Sequence, residues 1–203
     1  MFNNESATMI PRQLLIAITV LIALVIALGF YFRQMRRQQV NELKVAATEQ
    51  LPISPPSSGP TETVTLYVAN DAVGQLRAQS AQIPLPDRRQ QRAEELLRAL
   101  LRIYQEPGAT HPLAPASEIR SIYLVDPGAA VIDLNTAFAD QHRSGIMVEQ
   151  LTVNSFVQTL AINVPGIQRV RILVDGKSRD TLAGHADLTQ FFDVQTVAQW
   201  NNQ

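Results

Sequence analysis

The side chains best suited to acid–base or metal chemistry are three histidines, His111, His142 and His185, and three aspartates, Asp133, Asp175 and Asp187. The histidines show no i, i+4 pairing, and the chain has no Cys, so thiolate nucleophiles and Cys-based zinc sites are excluded. They are expected to be separate surface or turn residues. His185, within Leu182-Ala183-Gly184-His185-Ala186-Asp187, is expected to sit in a turn fixed against a sheet. Asp175 precedes Gly176, the pairing of a tight turn. Asp133 shares strand parity with Val131; it either faces inward, where a carboxylate needs donors, or caps Asn135 to Ala137, and the local hydrogen-bonding role is favoured. Ser155 and Thr159 lie one helical turn apart. Without a Gly-x-Ser-x-Gly elbow they read as small residues that let a helix approach a sheet. No phosphate loop, dinucleotide fingerprint, His-Glu-x-x-His or EF-hand pattern occurs. No catalytic, cofactor-binding or metal-binding residue is therefore assigned. The alternative is a hydrolase or glycan-binding protein using Asp133, Asp175 and His185, which requires those three to meet in one pocket.

The elements that would position these residues follow from periodicity. Val64, Leu66 and Val68 alternate with Thr65, Tyr67 and Ala69, predicting a strand. Ala93, Leu96, Leu97, Leu100, Leu101 and Tyr104 recur at helical offsets, with Asp87 as N-cap and Pro107-Gly108 as terminator. Arginines 88, 89, 92, 98 and 102, interrupted by Glu94 and Glu95, form that helix's polar side and read as a solvated face, not a nucleic-acid groove. Ile119 to Val125 and Ala129 to Leu134 flank Asp126-Pro127-Gly128, a predicted hairpin. Ser144 is placed to cap a second helix with Val153, Phe156, Val157, Leu160, Ala161 and Val164 on one face, ending at Pro165-Gly166. Arg169 to Val174 completes a β-α-β-β-α-β order. This is an α+β class, a two-layer domain with helices on one face of a mostly antiparallel sheet.

The whole chain has 203 residues, 17 Lys plus Arg and 18 Asp plus Glu. That length excludes a large multidomain enzyme. Residues 14–32 carry no charge over 19 positions, about 28 Å of helix, and predict a single transmembrane anchor behind a short tail, residues 1–13. Tyr31-Phe32-Arg33 suits an uncleaved interface. Residues 33–61 read as a juxtamembrane segment and stalk, with four prolines in residues 51–60 giving a semi-rigid spacer. Arg33, Arg36, Arg37 and Lys44 against Arg12 would by themselves place the C-terminal part in the cytoplasm. Residues 62–193 carry 12 basic and 15 acidic side chains, and 194–203 read as a tail.

In this order the segments resemble the GerMN domain of sporulation and spore-germination proteins. The matching residues are Val64-Thr65-Leu66-Tyr67-Val68, Ala93 to Leu101, Ala130-Val131-Ile132-Asp133-Leu134-Asn135 and Asn154 to Leu160. Val164-Pro165-Gly166-Ile167-Gln168-Arg169-Val170-Arg171-Ile172-Leu173-Val174-Asp175-Gly176-Lys177 and Gly184-His185-Ala186-Asp187-Leu188 complete them. The first helix departs from the family by ending at Ile103-Tyr104-Gln105-Glu106-Pro107. The resemblance, over residues 62–193, implies a non-catalytic domain of the bacterial envelope, without cofactor. It would be displayed outside the cell membrane by its single span and act through an envelope protein partner or self-association. It also outweighs the arginine bias, which is a tendency rather than a rule.

Overall fold

The computed structural model describes Leu24 and residues 59–86, 88–125 and 127–201. The chain divides into Met1–Glu49 and Gln50–Gln203, and the architecture below is that of the second unit. Apart from Leu24, the expected span at 14–32 lies outside the described residues, as do the stalk up to residue 58, Asp87 and Asp126. Among the described residues no helix is long and apolar enough to cross a membrane.

Ten elements follow one another: β1 (Thr61–Asn70), β2 (Gln75–Pro84), α1 (Arg89–Gln105), β3 (Ile119–Val125), β4 (Ala129–Leu134), α2 (Thr136–Asp140), α3 (Ile146–Asn163), β5 (Arg169–Val174), β6 (Phe192–Asp193) and α4 (Val194–Asn201). The α+β class holds, but the single sheet does not. β1 and β2 form an antiparallel hairpin of their own, and a second sheet runs β3-β4-β5-β6. In that sheet β3 is antiparallel to β4, whereas β4 and β5 are parallel because α2 and α3 cross over between them. The β3–β4 turn needs Gly128: its φ is 73°, and a Cβ there would lie 2.9 Å from the Gly166 carbonyl oxygen.

β2 is absent from the expected order. Its sequence, Gln-Leu-Arg-Ala-Gln-Ser-Ala-Gln-Ile-Pro, lacks β-branched residues except Ile83, which is also its one fully buried side chain. Pairing with β1, from Thr61↔Pro84 to Asn70↔Gln75, makes it a strand without a strand pattern. Residues 194–201, expected as tail, form α4 and bury Val197 in the core.

The two long helices depart from simple amphipathicity. Glu94 and Glu95 of α1 are buried, and Arg98 pairs with Glu95. Arg89 donates to the Pro165 carbonyl, and Arg92 donates to the Asn163 carbonyl at 2.7 Å and pairs with Glu62. Arg88, Arg89 and Arg102 are exposed, as expected of a solvated face, whereas Arg92 and Arg98 are half-buried and paired within the domain. In α3 every residue from Leu151 to Leu160 is buried, including its polar side. The helix starts from Gly145, whose φ is 154°, and not from a Ser144 cap.

The polar side of α3 is spent on β1. One edge of β1 pairs with β2; the other faces side chains. Thr159 Oγ1 accepts from the Tyr67 amide at 3.0 Å, Ser155 Oγ donates to the Tyr67 carbonyl at 2.7 Å, and Asn163 Nδ2 donates to the Thr65 carbonyl at 2.7 Å. Tyr104 Oη accepts from the Ala69 amide at 2.9 Å and hydrogen-bonds Ser155 Oγ, while Thr110 Oγ1 donates to the Ala69 carbonyl at 2.7 Å. Burial, offset by Ser155 and the Ala69 amide, pushes the Tyr104 phenol up to about 12, so it stays a donor. An edge that would otherwise be open to another strand is closed by hydroxyls and an amide. Thr159→Val keeps the shape and strands the Tyr67 N–H; it is expected to lower the unfolding free energy by about 1–2 kcal/mol in chemical denaturation.

Candidate functional site

Glu149, Thr152, Ser155, Thr159 and Asn163 recur along α3 at offsets of 3, 3, 4 and 4, a polar stripe on one side of the helix. The last three close the β1 edge. The first two gather all three histidines.

Glu149 is fully buried. Its Oε2 accepts from the backbone amides of Ala183, His185 and Ala186 at 3.0, 2.9 and 2.9 Å. Its Oε1 accepts from the Gly145 amide at 3.1 Å and from His185 Nδ1 at 2.9 Å. Burial alone would raise its pKa, but the amides and His185 outweigh burial and hold the carboxyl down at about 2. The carboxylate thereby caps its own helix and fixes the 183–186 turn. His185 does lie in a fixed turn, but Glu149 fixes it to α3 and not to a sheet.

His111 and His142 correct the sequence expectation. They are 0% and 8% exposed and meet at one hydroxyl: His111 Nε2 and His142 Nε2 each lie 2.7 Å from Thr152 Oγ1. His111 Nδ1 faces Asp71 Oδ1 at 2.6 Å, and His142 Nδ1 faces the Arg143 carbonyl at 2.8 Å. Asp71 also pairs with Arg143. The Tyr104 ring meets His111 edge-on with centroids 4.9 Å apart, and Phe138 stacks on His142 at 6.0 Å.

Four contacts run from Asp71 through His111, Thr152 and His142 to the Arg143 carbonyl, and both ends are acceptors. Thr152 Oγ1 also has the Val148 carbonyl as an acceptor, 3.2 Å away. Burial holds both rings below the ordinary imidazole value, opposed at His111 by Asp71 and at His142 by the Arg143 carbonyl. The folded domain therefore takes up its protons later than the unfolded chain as pH falls. Stability is expected to decline on acidification below about 6.5, by about 1–2 kcal/mol between pH 7 and 5.5. Urea denaturation at the two pH values checks this; unchanged or higher stability at pH 5.5 contradicts it.

The aspartates divide. Asp133 and Asp175 do come together across Arg120, whose Nη1 lies 4.0 Å from Asp133 Oδ2 and 2.6 Å from Asp175 Oδ1. Asp133 is buried, accepts from the Gly176 amide at 2.7 Å and is raised by that burial against Gly176 and Arg120. Asp175, at a φ of 50°, is lowered by the Thr136 hydroxyl and by Arg120. The local capping favoured for Asp133 falls to Asn135, whose Oδ1 accepts from the Phe138 amide at 2.9 Å. Asp187 closes a turn by accepting from the Thr189 amide and hydroxyl at 2.7 and 2.6 Å. His185 stays with Glu149. The constellation of Asp133, Asp175 and His185 is therefore two groups joined by an arginine and a third held elsewhere. Among the described residues, no group of three or more His, Cys, Asp or Glu is placed to hold a metal ion.

A two-sheet α+β domain whose titratable groups are tied to its own loops is defined by this geometry. Residues 65–180 match the family model described as Germane, sporulation and spore germination, and the chain belongs to that family. No curated protein matches the chain. Similar solved structures include a protein from Clostridium perfringens described as a lipoprotein, at 20% identity and a TM-score of 0.46, covering 72% of this chain and 96% of that one. The tandem GerMN domains of the sporulation protein GerM from Bacillus subtilis match at 20% identity and a TM-score of 0.46, over 64% of this chain and 44% of that one. The first GerMN domain of the same protein matches at 16% identity and a TM-score of 0.43, over 63% and 92%.

Proposed function

We propose that this protein is a membrane-tethered, non-catalytic interaction or assembly module of the bacterial cell envelope, its domain held outside the membrane by the uncharged span 14–32 and the proline stalk. The observation that carries the reading is the fate of the polar stripe on α3. Glu149, Thr152, Ser155 and Thr159 are buried and each is hydrogen-bonded to the domain's own loops or to β1. Groups committed in this way hold a surface rigid and leave little to act on a substrate. Family membership supports the same reading.

Topology is the first test. Alkaline phosphatase and green fluorescent protein are fused in turn to the C-terminus in a bacterial host. The proposal expects an active phosphatase and a dark fluorescent fusion; the reverse pattern places the domain in the cytoplasm and overturns the envelope assignment.

A further inference from the structure

At the other side of α3 from the histidines' loops lies a cleft that none of the above uses. It has a volume of about 380 Å³ and is walled by Phe191, Phe192 and Trp200, with Gln150 and Asn154 of α3, Asp193 and Thr196 as its polar groups. That volume falls within the range of small-molecule sites, about 300–1,000 Å³. Asn154 is 0% exposed; its Oδ1 accepts from Gln150 Nε2 at 2.7 Å, and its Nδ2 is buried without a partner. Asp193 Oδ1 accepts from the Thr196 amide at 3.0 Å, and among the described residues no partner takes its Oδ2. The Arg169 guanidinium covers Phe191 at 4.7 Å from the ring centroid, leaving Phe192 and Trp200 as the aromatic wall.

We infer that this cleft binds a neutral pyranose sugar. Aromatic faces carry negative quadrupole charge and attract the C–H face of a sugar ring, while hydroxyls answer both an amide donor and a carboxylate acceptor. A hydrocarbon would leave Asn154 Nδ2 unanswered, and an anion would meet Asp193. An extended peptide would draw its hydrogen bonds from a strand edge, and the edge here, β6, is two residues long. Because Asn154 Nδ2 has no exposure, the ligand reaches it when the Trp200 side chain swings at the rim, while Gln150, bonded to Asn154 Oδ1, stays as a second amide on the cleft wall.

Trp200 is the only tryptophan of the chain, so its emission reports on the cleft. The full chain is prepared in a non-glycosidic detergent and titrated with oligosaccharides of glucose, galactose, mannose and N-acetylglucosamine, and with short apolar peptides. A saturable change in Trp200 emission with one or more of the sugars is expected, weakened about tenfold by Phe192→Ala and by Gln150→Ala. Both side chains are partly exposed, and thermal melts identify variants that keep the fold. The inference is overturned if no sugar saturates, if only peptides do, or if folded Phe192→Ala and Gln150→Ala bind the sugar as the native chain does.

Discussion

Glu149→Gln is expected to lower the unfolding free energy by about 3 kcal/mol and the melting temperature by about 10 °C. The native carboxylate presents two acceptor oxygens to four backbone amides and one imidazole. A carboxamide presents one oxygen and one NH2. If its oxygen takes the place that serves Ala183, His185 and Ala186, its NH2 confronts the Gly145 amide; turned the other way, it confronts three amides. The effect also has a pH signature. A carboxyl held at about 2 when folded and at 4.5 when unfolded stabilises the fold fully above pH 4.5, and that stabilisation is lost as pH falls toward 2. The native domain should show a larger acid loss than the Gln variant, which keeps only the part due to His111, His142, Asp175 and Asp187. Thermal melts at pH 7 and 3 measure both; a loss below about 1 kcal/mol at pH 7 would remove Glu149 from its central role.

Thr152→Val should cost about 2–3 kcal/mol, close to what Glu149→Gln costs, although it removes only one hydroxyl. The substitution keeps volume and β-branching, but it takes away the oxygen that both His111 Nε2 and His142 Nε2 use. Two buried ring nitrogens then lose their partner together. Thr152→Ser keeps the hydroxyl and should recover most of the loss. Nitrogen-15 shifts of the imidazoles add a readout that packing alone would not move: in the native domain, changing the charge of one ring shifts the other, and in the Val variant that coupling falls to the coulombic part expected of rings 6.1 Å apart. Linked titration as strong in Thr152→Val as in the native domain would show that the hydroxyl does not carry it.

How much of this was legible in the sequence differs from element to element for physical reasons. Alternating Val64, Leu66 and Val68 found β1, and all three are buried. The Ile- and Val-rich runs around Asp126-Pro127-Gly128 found the β3–β4 hairpin, and Arg169 to Val174 is β5 with the expected limits. β2 was invisible because an exposed strand that pairs with one neighbour needs neither β-branched residues nor a buried face. The parallel β4–β5 pair could have been read, since a helix of 18 residues between two strands is a crossover. The histidine chain could not be read from His111, His142 and His185 themselves, which are distant in sequence. The accessible signal was the stripe of Glu149, Thr152, Ser155, Thr159 and Asn163. Polar residues at helical spacing normally mark a solvated side; here the opposite side is also apolar and the helix is long, a pattern that fits burial on all sides.

The claim on which the functional reading rests is that the rigid domain acts by contact with another protein. Large apolar side chains stand exposed at Val73, Leu85, Ile146 and Ile162, with Ile146 at 74% exposure. A photo-crosslinking amino acid placed at each of these positions in the full chain, in intact cells, tests the claim most directly. The account predicts discrete higher-mass adducts from at least one position, lost when Glu149→Gln loosens the 183–186 turn. Monomer alone from all four positions, with the protein present in the membrane fraction, would contradict it.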